Sequence, residues 1–228
     1  MGQEVAKLLL AEECRLGVAA RREDRLQAVK QLAPDRVEVA TIDVTADDSP
    51  QRLRQLIDRL GGMDLFFYVS GIGKQNRTLT PDIEINTVNT NGLGFTRMIG
   101  EAYRYFAERG EGHIAAISSI AGTKGLGPAP SYSATKAFQN VYLQALEQQA
   151  NARGLNIRFT DIRPGFVDTD LLAGDFRYPM MLKPEKVAQQ IVNAIHHKRH
   201  VKVIDWKYAL LTPLWRLLPN ALWRHLKL

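Results

Sequence analysis

Residues 113–139 read HIAAISSIAGTKGLGPAPSYSATKAFQ, and this stretch decides the fold. It opens on an apolar, strand-like run that ends in Ser118 and Ser119. A glycine-containing loop follows, and a helix-like segment runs from Tyr132 to residue 152. The same alternation continues outward in both directions. Upstream, residues 64–69 (DLFFYV) form a continuous apolar run, typical of a strand covered on both faces. Residues 36–42 (RVEVATI) and 15–20 (RLGVAA) are also strand-like, and 2–13, 24–32, 50–60 and 91–108 have helical spacing. Downstream come a strand at 156–162 (NIRFTDI), a helix at 184–197 and a strand at 201–204. Such alternation predicts an α/β fold, a doubly wound parallel sheet in three α/β/α layers with right-handed crossovers.

Composition removes several function classes. With 45% hydrophobic and 24% charged residues in 228, the chain is globular and not disordered. No run approaches ~18 uncharged apolar residues, so no spanning helix is expected. Glu4, Glu12 and Glu13 argue against a secretory signal. Cys14 is the single cysteine, which excludes an intrachain disulfide and fits a reducing, cytoplasmic compartment. The net charge of +6 is unevenly placed: residues 1–152 carry 17 basic and 18 acidic residues, whereas 198–228 carry 7 and 1. That distribution speaks against a nucleic-acid surface and singles out a basic tail.

The tail, residues 206–228, reads WKYALLTPLWRLLPNALWRHLKL and holds all 3 tryptophans. It reads as a lid over an apolar pocket or a subunit neighbour. It also reads as an amphipathic anchor for peripheral contact with anionic membrane lipid. Pro213 and Pro219 are expected to break any long helix there. His196, His197 and His200 flank Lys198 and Arg199 and read as a solvated helix end, so no metal site is expected. Residues 122–127 (GTKGLG) lack the spacing of a phosphate loop and read as a substrate-side loop.

In open parallel sheets, ligands bind beyond the carboxyl ends of the strands. Those ends carry Arg21, Asp43, Ser70-Gly71, Ser118-Ser119 and Pro164-Gly165. Tyr132 and Lys136 lie at i and i+4 on one helix face. A phenol with a pKa of about 10 is a poor acid/base near neutrality, and a neighbouring ammonium favours its phenolate. The pair is a chemically sensible acid/base unit.

Ser119, Tyr132-x-x-x-Lys136 and Pro164-Gly165-x-Val167-x-Thr169, in this order, resemble the single-domain branch of the short-chain dehydrogenase/reductase family. The resemblance runs from Met1 to about residue 204. It implies a Rossmann-like domain over residues 1–205, with 206–228 packing on it or on a neighbour. It implies an oxidoreductase that moves a hydride between NADP(H) and a ketone or secondary alcohol. Tyr132 would be the general acid/base, and Lys136 would lower its pKa and bind the nicotinamide ribose. Ser119 would polarise the substrate oxygen, with Ser118 as second choice. Asn91 would hold a water linking Lys136 to solvent, with Asn89 competing. Pro164, Gly165, Val167 and Thr169 would line the nicotinamide. Asp43 and Val44 would meet the adenine, and Ser70 and Gly71 its ribose. Arg21, then Arg22, would read the 2′-phosphate, because Ala20 stands where NAD-preferring relatives carry an acid. The family also implies a homodimer or homotetramer through helices 91–108 and 132–152. Residues 170–183, with Phe176, Tyr178, Pro179, Met180 and Met181, would cover an apolar part of the substrate.

Two departures stand out. Met1-Gly2 matches only the end of the glycine-rich pyrophosphate turn, Gly2 being its last glycine, and the family's first strand has no counterpart. Two strand edges inside the sheet should therefore be unpaired. The reading expects the chain to continue upstream of Met1. The alternatives are a slot filled by a partner strand or a rearranged N-terminus, and a non-catalytic, dimeric binding protein that reuses the fold. The second departure is Tyr68-Val69-Ser70-Gly71 in place of Asn-Asn-Ala-Gly, which removes a bracing asparagine.

Overall fold

The computed structural model describes residues 1–169 and 180–226. The order is α1 (Gly2–Ala11), β1 (Leu16–Ala20), α2 (Glu23–Lys30), β2 (Val37–Thr41), α3 (Ser49–Leu60) and β3 (Leu65–Tyr68). Next come α4 (Pro81–Val88), a π-helical turn (Asn89–Gly94), α5 (Phe95–Arg109) and β4 (Glu111–Ile117). A 3₁₀ turn (Ile120–Thr123), α6 (Pro130–Ala152), β5 (Asn156–Arg163), α7 (Pro184–His196), β6 (Val201–Val203), α8 (Trp206–Leu217) and α9 (Asn220–Trp223) complete it. All strand pairings are parallel. Prolines at the first turns of α3, α4, α6 and α7 favour helix starts there. Gly61 and Gly110, at φ of 78° and 81°, end α3 and α5 in the left-handed conformation that lacks a penalty only for glycine.

The sheet is in two pieces. β1 pairs only with β2, and the second piece runs β3-β4-β5-β6. Among the described residues, the second edges of β1 and β3 have no strand partner, as the sequence leads one to expect. Leu16 of β1 and Leu65 and Phe67 of β3 lean on one apolar cluster with Val5 and Leu9 of α1. Helix α1 therefore bridges both edges. The open edge also explains why Leu65, Phe66 and Phe67 are only half-buried despite the apolar run they form.

Alternation along β4 builds the two cores. Ile114 and Ala116 enter the cluster with α3, α5 and α6; Ala115 and Ile117 enter the one with α1 and α7. Helix α5 is the centre of the first, with Phe95, Ile99, Ala102 and Phe106 excluded from solvent. Gly112 lets Phe106 lie on β4, since a Cβ there would come within 2.0 Å of the ring.

Two elements differ from the sequence expectations. The weakly patterned α4 has no counterpart among them. Pro213 does not break α8, which passes through it from Trp206 to Leu217. Asp205 caps the helix by accepting from Lys207 N at 2.9 Å, Tyr208 and Thr212 are buried, and the Thr212 hydroxyl donates to the Tyr208 carbonyl at 2.6 Å. The expected break does occur at Leu218, which is extended before Pro219.

Tyr68 is buried against Phe95 with ring centroids 5.2 Å apart, and its hydroxyl has no hydrogen-bond partner among the described residues. Removing an unsatisfied buried hydroxyl removes a desolvation cost of about 1–3 kcal/mol. In urea denaturation, Tyr68→Phe should hold or raise stability, whereas Phe106→Ala should lose about 3–5 kcal/mol.

Candidate active site

The site forms where the carboxyl ends of β3, β4 and β5 meet the first turns of α6. The phenol of Tyr132 is half-buried, which raises its pKa, while a hydrogen bond with Ser119 lowers it. Ser119 is held by its own turn: its Oγ accepts from Ala121 N at 3.1 Å. One helical turn after Tyr132, the Lys136 ammonium lies 5.7 Å from the Tyr132 ring centroid. Gly73 permits this packing, since a Cβ there would come within 2.5 Å of the same ring.

Lys136 is 4% exposed, and its desolvation pushes the ammonium down to about 8, against the opposing pull of Asp161. It donates to Ile117 O at 3.1 Å and to Gln139 Oε1 at 2.9 Å. Gln139 in turn donates to the backbone carbonyl of Asn91 at 2.8 Å. Asn91, the residue expected to link Lys136 to solvent through a water, is thus tied to Lys136 through a glutamine. The Asn91 side chain accepts from Ile72 N at 2.9 Å and donates to Ile72 O at 2.7 Å, which fixes the loop after Gly71. Asn91 sits inside the π-helical turn, a rare conformation that recurs at functional sites. Asn89 only opens that turn.

The two serines separate cleanly. Ser119 is bonded to Tyr132, whereas Ser118 Oγ donates to buried Asp161 in a short contact. Arg163 grips the other oxygen of Asp161 through Nε at 2.7 Å. Asn140, with its amide turned to suit its neighbours, donates to Ser118 Oγ at 2.7 Å and to Asp161 Oδ2 at 3.2 Å. Sequence reasoning missed Gln139 and Asp161. A signal was present for each: Gln139 follows Lys136 by three residues on one helix face, and Asp161 is the one carboxylate of β5, beside Ile162.

The nucleotide candidates lie along the same edge. Arg21 and Arg22 follow β1 and are exposed, Arg22 being the residue that precedes α2. Asp43 follows β2 and is acidified, chiefly because it accepts from Thr45 N at 2.9 Å and Thr45 Oγ at 2.7 Å, with a smaller pull from Arg21. Val44 packs on Gly94, where a Cβ would meet it at 2.7 Å. Ser70 and Gly71 follow β3, and Gly2 opens α1 beside Val69. Pro164 and Val167 are buried, Gly165 faces the Tyr208 ring, and Thr169 Oγ donates to Val167 O at 3.3 Å. Val167 bridges to Leu182. Phe176, Tyr178 and Pro179 lie outside the described residues, as does Lys227. Lys124 of the 122–127 loop donates to Leu218 O at 2.9 Å and Asn220 Oδ1 at 2.6 Å, and Gly125 O accepts from Trp223 at 2.7 Å. This loop grips the C-terminal tail.

A nicotinamide nucleotide suits this donor set at its two ends. Two of the three ammonium hydrogens of Lys136 are used, which leaves one for a ribose hydroxyl. A Cβ at Gly71 would lie 3.4 Å from both Lys136 Nζ and Asn91 Oδ1, so the bare glycine keeps that cradle open. At the far end, exposed Arg21 offers a guanidinium to a phosphate.

The sequence profile described as short chain dehydrogenase matches residues 1–177. An uncharacterized oxidoreductase of Myxococcus xanthus is 31% identical over 229 residues, covering 97% of this chain and 90% of the relative. Among solved structures, a 3-ketoacyl-(acyl-carrier-protein) reductase from Brucella melitensis, complexed with NADH, superposes with a TM-score of 0.80 at 20% identity, over 90% of this chain and 91% of that one. An alcohol dehydrogenase from Thermococcus sibiricus, complexed with 5-hydroxy-NADP, gives 0.78 at 21% identity, over 91% and 92%.

Asp161 supports the charged form of Lys136, so its removal should lower the Lys136 pKa further. In carbon-13 NMR of labelled lysine side chains, Lys136 is expected to titrate near 8, apart from the bulk of the lysines. In Asp161→Asn the same resonance should titrate at lower pH.

Proposed function

Because the chain belongs to the short chain dehydrogenase family, we propose that it is an NADP(H)-dependent oxidoreductase acting on a ketone or secondary alcohol. The observation that carries this reading is the convergence of Ser119, Tyr132 and Lys136 on one buried-edge site. When bound, the nicotinamide supplies or accepts the hydride.

The chain's own residues do the rest. Ser119 donates to the substrate oxygen and holds it against the Tyr132 hydroxyl. During reduction, the Tyr132 hydroxyl delivers its proton to that oxygen; during oxidation, the phenolate takes it back. The Lys136 ammonium stabilises the phenolate across the short space between them. Gln139 and Asn91 fix the ammonium in place. Pro164, Gly165, Val167 and Thr169 form one wall for the nicotinamide, Ser70 and Gly71 the wall nearer the adenine ribose, and Asp43 and Val44 the adenine end. Arg21, backed by Arg22, pairs with the 2′-phosphate, with Ala20 and not an acid at the end of β1. Gly2 supplies the helix N-terminus nearest the pyrophosphate.

A second reading, a non-catalytic binding protein on the same fold, draws on the unpaired edges of β1 and β3 beside α1. Titration with NADPH and NADH, followed by nicotinamide fluorescence, separates the two. The enzyme reading expects NADPH to bind and NADH to bind more weakly. Arg21→Ala should weaken NADPH by about tenfold or more, the worth of one charge-assisted hydrogen bond, and leave NADH unchanged. Across a panel of ketones, Tyr132→Phe should retain cofactor binding and lose about 10²–10⁴ in turnover. Full activity in that variant would overturn the mechanism, and absence of binding to either nucleotide would favour the second reading.

A further inference from the structure

Helix α8 has two unlike faces. Tyr208 and Thr212 face inward and are buried. On the opposite side, Trp206, Leu210, Leu214 and Leu217 are 71%, 64%, 54% and 78% exposed. At 3.6 residues per turn these four share one side of the helix and form a continuous apolar ridge. The same spacing sets exposed Lys207 along one flank of the ridge and exposed Arg216 along the other. Beyond α8, Leu222 and Leu226 continue the exposed apolar surface, and Arg224 adds a further cation.

No acidic residue occurs in residues 206–228, and Asp205, just before them, is engaged in capping α8. This decides between occupants. A two-fold contact with a second copy would bring each ridge, with its flanking cations, against an identical one. The helix offers no carboxylate to compensate. An anionic surface meets the apolar ridge and both cationic flanks at once. We propose that the α8–α9 tail is a docking surface for anionic lipid, on which Trp206, Leu210, Leu214 and Leu217 enter the interface while Lys207, Arg216 and Arg224 lie among the headgroups.

The structure fits lying on a membrane and not crossing it. No helix among the described residues is long and apolar enough to span. The docking face is also firmly mounted. Lys124 and Gly125 hold the chain on both sides of Pro219, and Tyr208 Oη donates to Met180 O at 3.2 Å. This proposal does not depend on the oxidoreductase reading, and its failure would leave that reading intact.

The 3 tryptophans of the chain are all in this tail, so intrinsic fluorescence reports directly on docking. The 228-residue protein is mixed with phosphatidylcholine vesicles with or without phosphatidylserine, at low and at high salt. The expected result is a blue shift and co-sedimentation with phosphatidylserine vesicles, at least tenfold stronger than with phosphatidylcholine alone, and weakened by salt. Lys207→Gln and Arg216→Gln should each cost roughly fivefold in partitioning. Leu210→Glu combined with Leu214→Glu should abolish docking without changing thermal unfolding, because both side chains are exposed. Tyr132→Phe should dock as the wild type does. Two outcomes would overturn the proposal. One is no binding to phosphatidylserine vesicles at low salt. The other is a dimer that Leu214→Glu dissociates and vesicles do not compete, which would make a second copy the occupant.

Discussion

One ammonium withdrawn from water organises the centre of this protein. A desolvated cation costs several kcal/mol unless it is hydrogen-bonded and paired, and Lys136 meets that demand with residues from three elements. Ile117 gives a carbonyl from the end of β4, Gln139 an amide oxygen from the next turn of α6, and Asp161 a negative charge from β5. Asp161 is itself a buried charge and is satisfied in turn by Ser118, Arg163 and Asn140. Each member closes a valence left open by another. The result ties β4, β5 and α6 in fixed relation, and it sets the orientation of Tyr132 and Ser119 that the proposed chemistry needs.

The sheet obeys a different constraint. Its two pieces are joined by helices and not by strand pairing. Helix α1 packs under both open edges and against α7. Burial of apolar side chains is non-directional and tolerates such a junction. Backbone donors and acceptors are directional, and along the second edges of β1 and β3 they find no strand partner among the described residues. Stability in this region therefore rests on side-chain packing to a greater degree than in the β3–β6 sheet.

Much of this was legible in the sequence. The parallel α/β pattern followed from apolar runs separated by helical periods, and the split in the sheet from the missing first strand. Tyr132, Lys136 and Ser119 stood out as candidates through the family resemblance of their combined pattern, since the Tyr132–Lys136 spacing alone is common in helices and Ser118 shares the strand end with Ser119. Gln139 and Asp161 were less legible because their roles arise only when α6 lies across β4 and β5. The helix α4, with Thr87 its one buried residue, carries too weak an apolar pattern to be read locally. Pro213 misled for a related reason. Its local cost is real, but a cap at Asp205 and the burial of Tyr208 and Thr212 outweigh it, and none of these is visible from the proline itself.

The contact between Gly165 and Tyr208 has a mechanical consequence. A Cβ on Gly165 would lie 2.2 Å from the Tyr208 ring, so glycine backbone and aromatic face meet without slack. Close-packed surfaces of this kind transmit displacement and do not absorb it. Helix α8 thus acts as a strut, with its outer ridge at one end and the loop after β5 at the other. A load that tilts the ridge must push on the peptide beside Pro164, and a shift in that loop must lift the ridge.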